Sequence, residues 1–581
     1  MILSSLLLFG WTVIFCRLIS ISFPRLPDII RVIIGFLLTN LFLGYTLFLL
    51  GFLMPHSQIV YILTAVSLVW CFFARPIKID RPWLVILLIT TILFVFLYNS
   101  VWRQDSFGMS LATRGVWSDW GNHLGLPLYY QSVNRTTLAN PFVSGSNFTY
   151  TLLPSLLASI PLHLGGSIRF SIFLFGISWS VSAVILMIYL GQLLGTGRLS
   201  FLVPVLFYLN GNLGIPHSFP DLLHLSREYG HFWEGGYHLG NFLDFFFVSQ
   251  RSFILGLPSG LAILILTLSS KNKLDLLFPV VMLGLLPLIH VHSFIALLVI
   301  LLIYNFQRPQ LIWFVSLFLA LPYFVWLKFF NSSLDSGFLI YKLGWLSQPE
   351  NWFWFWIKNA PIIIPSVFGT LFFWSKRQFR FLIISGWILF ALVNLIQFQP
   401  NLADNNKFLV WWYLLALIYP TLLFITKIKW SLPIILVVCT LTGVLQLLWI
   451  FQNRWQFVDN QGLSLANFAK TTCVAKRWLT SDAHNHPVFT FAGRPLVMGY
   501  RGWLWTWGTN YSTLEKEVQQ MLTQPQNSQS LFSKHQVSYS VIGQSEISQY
   551  HPDINLWKKL YPIVYSSPSY IVFAISPCTA N

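Results

Sequence analysis

The chain has 581 residues, of which 55% are hydrophobic and only 9% charged, and its mean hydropathy is +0.65. That balance excludes an ordinary soluble globular protein and describes a chain with many membrane crossings. The formal net charge of +17 would point a soluble domain toward nucleic acid; here much of the excess sits in short loops between apolar runs, where membrane topology accounts for it, and no nucleic-acid partner is expected.

From the N-terminus onward, apolar runs each near the roughly 20 residues that cross a bilayer predict about fourteen transmembrane helices. They fall near 5–23, 32–53, 57–74, 83–101, 168–194, 199–212, 252–270, 274–289, 291–306, 309–327, 352–375, 381–398, 408–426 and 431–451. The first, MILSSLLLFGWTVIFCRLISISF, lacks a basic leading region and a small-residue cleavage site, which predicts a retained span rather than a signal peptide.

Basic residues of short loops are held on the cytoplasmic side. Alternate connections carry them: Arg25 and Arg31; Arg75, Lys78 and Arg81; Arg198; Lys271 and Lys273; Arg308; Lys376, Arg377 and Arg380; Lys427 and Lys429. The long segments 102–167, 213–251, 328–351 and 399–407 then lie outside, as do both termini. Lys271, Lys273 and Arg308 share a side only if 274–306 crosses twice, so PLIHVHSF becomes an outer tip.

The outer segments hold nearly all the chemistry. In the first, GVWSDWGNHL sets Asp119 and His123 four residues apart, on one face of a helix, with Trp117 and Trp120 expected to bed that helix in the membrane interface. A carboxylate hydrogen-bonded to an imidazole is a usable proton acceptor. Segment 213–251 is rich in ionisable groups and ends on Arg251 at the entry to a span; Lys407, beside Asp404 in QPNLADNNKFL, has the same relation to its own. Anchoring to lipid headgroups explains either cation alone, whereas the two together, near carboxylates and imidazoles, suit a lipid-linked phosphate. His290 and His292 have no cysteine or acid pair beside them, so hydrogen bonding at a buried tip is expected before a metal. No Walker or GxGxxG loop stands in a strand-to-helix setting, which argues against nucleotide-driven chemistry.

Beyond residue 451 charge, Asn, Gln and Ser return, and 452–581 is expected to be a water-exposed α/β domain distinct from the transmembrane part, 1–451. FTFAGRPLVMGYRGWLWTWGTNY alternates like strands and brings Tyr500, Trp503, Trp505 and Trp507 beside Arg494 and Arg501. Such a surface suits sugar stacking and equally suits docking on the membrane. STLEKEVQQML predicts a helix capped by Ser512 with Glu515 completing a capping box. Cys16, Cys71 and Cys439 are expected to be small apolar fillers, and Cys473 and Cys578 are placed to pair in an oxidising compartment. Sequons at Asn134, Asn147, Asn331 and Asn510 all fall outside, but such triplets also arise by chance.

This layout resembles the GT-C superfamily of membrane glycosyltransferases. WSDWGNHLGLPLYYQSV is similar to the acidic first-loop motif of that superfamily, and SQRSFILGLPSGLAILIL, GLLPLIHVHSFIAL, FQPNLADNNKFLVWWYLLA and FAGRPLVMGYRGWLWTWG resemble stretches of bacterial membrane proteins grouped with it. The resemblance implies an α-helical polytopic fold with a C-terminal extracytoplasmic α/β domain and a catalytic first outer loop, 102–167. It implies transfer of a sugar, with inversion, from a polyprenyl-phosphate-linked donor to an extracytoplasmic glycan, lipid or protein acceptor in a bacterial plasma membrane. Asp119 would be the general base, with His123 beside it. Arg251, Lys407, His290 and His292 would hold the donor phosphate, and Asp404, Tyr500, Arg501 and Trp503 the sugar or acceptor. The superfamily commonly pairs two first-loop acids on a divalent metal; here Trp120 and Gly121 follow Asp119, and Asp105 is the only other acid nearby, so no cofactor is assigned. Two other readings remain open: a transporter or flippase of lipid-linked sugars, and a non-catalytic membrane scaffold.

Overall fold

A computed structural model describes the chain except for residues 73–77, 113–118, 215–224, 226, 231, 248–249, 308–309, 331–338, 374–376 and 578–581. Within it, seven helices are long and apolar enough to cross a membrane: Ile2–Ser22, Asp28–Leu50, Arg81–Val101, Ile168–Leu193, Arg251–Ser269, Leu402–Lys427 and Ser431–Gln452. Each matches an expected span. The run at 352–375 is instead two helices, Trp352–Asn359 and Ile363–Phe372, bent by 91°. Pro361 stands at the break, where it supplies no N–H and disfavours helix in the residue before it. Over the described residues the other six expected spans are shorter apolar helices, so among those residues seven helices qualify as crossings by length and composition, or eight with the bent pair.

Close helix contacts rest on small residues, as is usual in bilayers. A Cβ at Gly35 would stand 2.8 Å from the backbone nitrogen of Cys16, which lets Ile2–Ser22 and Asp28–Leu50 pack backbone to backbone. Buried amides tie the segment 213–251 to the bundle. Gln446 accepts from the backbone N–H of Tyr229 and Gly230 at 2.9 Å each and donates to Asp244 at 2.7 Å, so no backbone donor is stranded there.

The segment 102–167 and the tail form one body. Strands β1 (Trp102–Asp105) and β2 (Gly108–Ala112) make an antiparallel hairpin, and after the short pair β3 (Ile340–Tyr341) and β4 (Ile396–Gln397) the tail's first strand, β5 (Arg454–Asp459), pairs antiparallel with β2. Gly108 has φ +138°, and a Cβ there would lie 2.2 Å from the Val458 carbonyl oxygen; glycine satisfies both constraints. The rest of the tail builds on β6 (Arg477–Leu479), β7 (Val537–Gly543), β8 (Ile563–Ser566) and β9 (Tyr570–Ala574), in the order β6-β7-β9-β8. Arg477 donates to the Asn140 and Leu496 carbonyls at 2.6 Å each, and Gly499 N–H donates to the Phe142 carbonyl at 2.7 Å.

Several local expectations change. Residues 501–506 are helical (Arg501–Thr506) rather than extended. The helix Ser512–Thr523 has no capping box: Asn510 accepts the Ser512 N–H, while Glu515 pairs with Arg501 at 2.9 Å. Trp120 is fully buried, edge-on to Trp102 with ring centres 6.1 Å apart, and not bedded in the membrane interface. Trp117 lies outside the described residues. Cys473 is disulfide-bonded, and Cys578 lies outside the described residues.

The tail carries a buried acid at its centre. Glu546 accepts from Ser481 N–H at 2.7 Å and Gly543 N–H at 2.9 Å, and His486 Nε2 lies 3.3 Å away. Burial by itself would raise this carboxyl; His486 and Ser481 outweigh that and hold it at about 2. Its ionised form therefore adds stability above the ordinary carboxylate range, and that stability is lost as pH falls toward about 2. Glu546→Ala strands two N–H donors and is expected to cost about 3 kcal/mol, read as a lowered midpoint in fluorescence-monitored thermal unfolding of the full chain.

Candidate active site

A cavity of about 860 Å³ lies where the helical bundle meets the first loop and the tail. Asp119, His123, His290, His292, Asp404 and Lys407 line it, joined by Tyr500 and Trp503 from the tail. Side chains more than 280 positions apart in sequence thus face one space.

Asp119 opens the helix Asp119–Val133, whose N-terminal end favours a carboxylate. That helix is pressed against the tail: a Cβ at Gly121 would sit 1.8 Å from the His484 carbonyl oxygen, and one at Gly125 would sit 2.2 Å from the Phe489 ring. The tail therefore fixes where the acid stands. Burial pushes the Asp119 carboxyl up to about 6, partly opposed by Lys407, assisted by Asp404, and opposed again by a 3.4 Å hydrogen bond donated by Gln250. His123 follows one turn on and is 4% exposed. Its burial, with the charges of Arg251 and Lys407, lowers it to about 3, so it is neutral at ordinary pH. The expected carboxylate–imidazole bond is not formed; the partner of Asp119 is Gln250.

Lys407 pairs with Asp404 at 3.1 Å, three residues apart at the start of the span Leu402–Lys427. Asp404 thus has a cation as its first partner. His290 and His292 stand side by side, ring centres 5.3 Å apart, where the turn Leu286–Leu288 gives way to the helix Val291–Gln307. Among the described residues no group of three or more His, Cys, Asp or Glu side chains is arranged to hold a metal.

Two expected members stand apart. Arg251 begins its helix as foreseen, but its guanidinium runs into the bundle between Tyr98 and Trp120 and donates to the Ile172 carbonyl at 3.1 Å, so it does not line the cavity. Arg501 is engaged with Asp482 at 2.7 Å and with Glu515, also outside the cavity lining. Conversely, Gln250, Asn122, Tyr150 and Tyr323 line it without having been singled out. Being uncharged, they carry no signal against an apolar background; only the place of Gln250 beside Arg251 marked it.

No protein-family model matches the chain, and no curated protein sequence does. Among solved structures, the chain is similar to the Archaeoglobus fulgidus oligosaccharyltransferase tethered to an acceptor peptide, with 12% identity, 85% of this chain and 74% of that chain covered, and a TM-score of 0.42. It is also similar to ArnT from Cupriavidus metallidurans bound to undecaprenyl phosphate, with 10% identity, 85% and 98% covered, and a TM-score of 0.48.

Proposed function

We propose that the chain is an integral-membrane glycosyltransferase of the GT-C kind, which moves a sugar from a polyprenyl-phosphate-linked donor to an acceptor on the extracytoplasmic side. The observation that carries this reading is the meeting of Asp119 and Lys407 in one cavity at the junction of apolar bundle and polar tail. Sugar transfer needs a base for the acceptor and a cation for the leaving phosphate, and a carboxylate and an ammonium lining one cavity support that reading.

In the reaction, Asp119 takes the proton of the acceptor hydroxyl as its oxygen attacks the anomeric carbon. The bond from that carbon to the phosphate oxygen breaks, its electron pair stays on the phosphate, and attack from the opposite face inverts the anomeric centre. Lys407 faces the charge that develops on the departing phosphate. Asp404 holds the ammonium in place, and Tyr500 and Trp503 offer aromatic faces to the acceptor or the sugar.

The reading is tested by incubating the purified protein with a panel of polyprenyl-phosphate-linked sugars and a membrane extract as acceptor source. Release of free polyprenyl phosphate together with transfer of labelled sugar is the expected result. Movement of intact lipid-linked sugar across proteoliposomes without cleavage would favour a flippase, and neither outcome would leave a scaffold.

A pH profile follows from the environment of Asp119. A base must be ionised, and a carboxyl raised to about 6 is ionised above that value and protonated below it. Transfer rates are therefore expected to fall as pH drops through about 6, where an unperturbed aspartate would stay active to about 4. Initial rates between about pH 5 and about pH 8 check this; a flat acid limb contradicts it.

A further inference from the structure

The chain bends by 91° between Trp352–Asn359 and Ile363–Phe372. The second of these helices packs on the span Leu402–Lys427: a Cβ at Gly369 would stand 1.9 Å from the Pro420 carbonyl oxygen, and Phe372 stacks on Phe424 with ring centres 6.2 Å apart. A helix at right angles to one that packs on a span points along the membrane surface and not through it. With 8 residues, about 12 Å of rise, Trp352–Asn359 is also too short to cross.

The two faces of this helix differ. Phe353 is 71% exposed and Trp354 52%, with Ile357 half-buried one turn on, so the outward face is apolar throughout. The same exposure continues past the bend at Ile364, Val367, Phe368 and Leu371. The polar groups turn the other way. Lys358 is buried, pairs with Glu350 at 2.6 Å and donates to the Gly235 carbonyl at 3.0 Å. Asn359 accepts the His238 and Leu239 N–H groups at 2.7 Å and 3.0 Å and donates to the Gly236 carbonyl at 3.0 Å. The indoles of Trp352 and Trp356 both donate to Asn394, at 2.8 Å and 3.1 Å, and so fix the helix to Arg377–Leu395. Exposed aromatic rings on a helix with no outward charge fit the membrane–water interface, where such side chains collect. Lipid is the apolar medium that the spanning helices already require, and the exposed face runs on toward theirs. The side of the membrane is set by Asn406, which donates to the His238 carbonyl at 3.4 Å and precedes the cavity-lining Lys407.

We propose that Trp352–Asn359 lies in the lipid headgroup layer on the cavity side of the membrane, with Phe353 and Trp354 toward the lipid, and that its polar edge sets the height of the segment 235–239 against that surface. The level of the lipid is thereby tied to the level of the chain that carries Lys407. The proposal needs only a chain that spans a membrane and is independent of sugar transfer.

The test uses the full-length protein in phosphatidylcholine nanodiscs, spin-labelled at Phe353→Cys. Val367→Cys is the reference for the acyl region, and Lys558→Cys, exposed on the tail, is the reference for water. The labelled unsubstituted protein supplies the background of Cys16, Cys71 and Cys439. Collision rates with oxygen, which partitions into lipid, and with a water-soluble nickel chelate give the depth of each label. The label at Phe353→Cys is expected about 5–10 Å into the headgroup–acyl boundary, between the two references. Nickel contact equal to that at Lys558→Cys puts the helix in water, a depth equal to that at Val367→Cys makes it part of a re-entrant span, and low contact with both reagents means that a protein partner or a second copy covers it; each of these overturns the proposal. Trp354→Phe keeps an apolar ring and gives a reading that no cysteine perturbs. The emission it removes from the wild type should be quenched by lipids brominated high in the acyl chain and spared by iodide in the water, and the reverse overturns the proposal.

Discussion

Asp119→Asn is expected to slow sugar transfer by about a hundred- to ten-thousandfold, the usual worth of a positioned general base. The substitution changes charge and basicity and almost nothing else. Asparagine has the same shape, and its carbonyl oxygen can still accept the bond that Gln250 donates at 3.4 Å. The helix that carries it is anchored elsewhere, through the contacts of Gly121 and Gly125 with the tail. Folding, thermal midpoint and affinity for polyprenyl phosphate should therefore match wild type while turnover collapses. Loss of turnover together with loss of the thermal midpoint would show that Asp119 serves the fold, and unchanged turnover would remove it from the chemistry.

Lys407→Met should cost about a hundred- to a thousandfold in turnover, the scale seen when one stabiliser of developing negative charge is removed. The result needs a companion, because Lys407 also neutralises Asp404 at 3.1 Å and its removal leaves that carboxylate unpaired. In the double variant Asp404→Asn with Lys407→Met the pair is gone and the charge is balanced. Stability should return toward wild type in the double variant, and activity should not. If activity returns as well, the lysine is there to satisfy the aspartate, and the leaving phosphate is handled by other groups.

How much of this was legible in sequence depends on what each residue type signals. Asp119, His123, His290, His292, Asp404 and Lys407 stand out as ionisable groups in an apolar chain, and all six line the cavity. Arg251 stands out for the same reason but does not line it. Its position at the start of a helix is visible in sequence, but the direction of its side chain is set by packing against Tyr98 and Trp120, which no local pattern reports. Hydropathy likewise found the apolar helices other than Leu153–His163, while among the described residues seven, or eight with the bent pair, are long and apolar enough to cross, so the count of about fourteen crossings is not confirmed. In the tail, the apparent alternation around 500–507 concealed a helical signal: Trp503 and Trp507, four apart, stack at 6.3 Å and 16°. The pairing of β5 with β2 joins segments more than 340 residues apart, a contact that short-range reading does not reach.

The most direct test of the shared cavity is a cryo-electron-microscopy map of the protein bound to undecaprenyl phosphate. The account predicts phosphate density within about 4 Å of Lys407 Nζ, with the Asp119 carboxyl facing the same space and the lipid chain leaving toward the apolar helices. Phosphate density on the outside of the bundle, or in a separate pocket from which Asp119 is walled off, would contradict it.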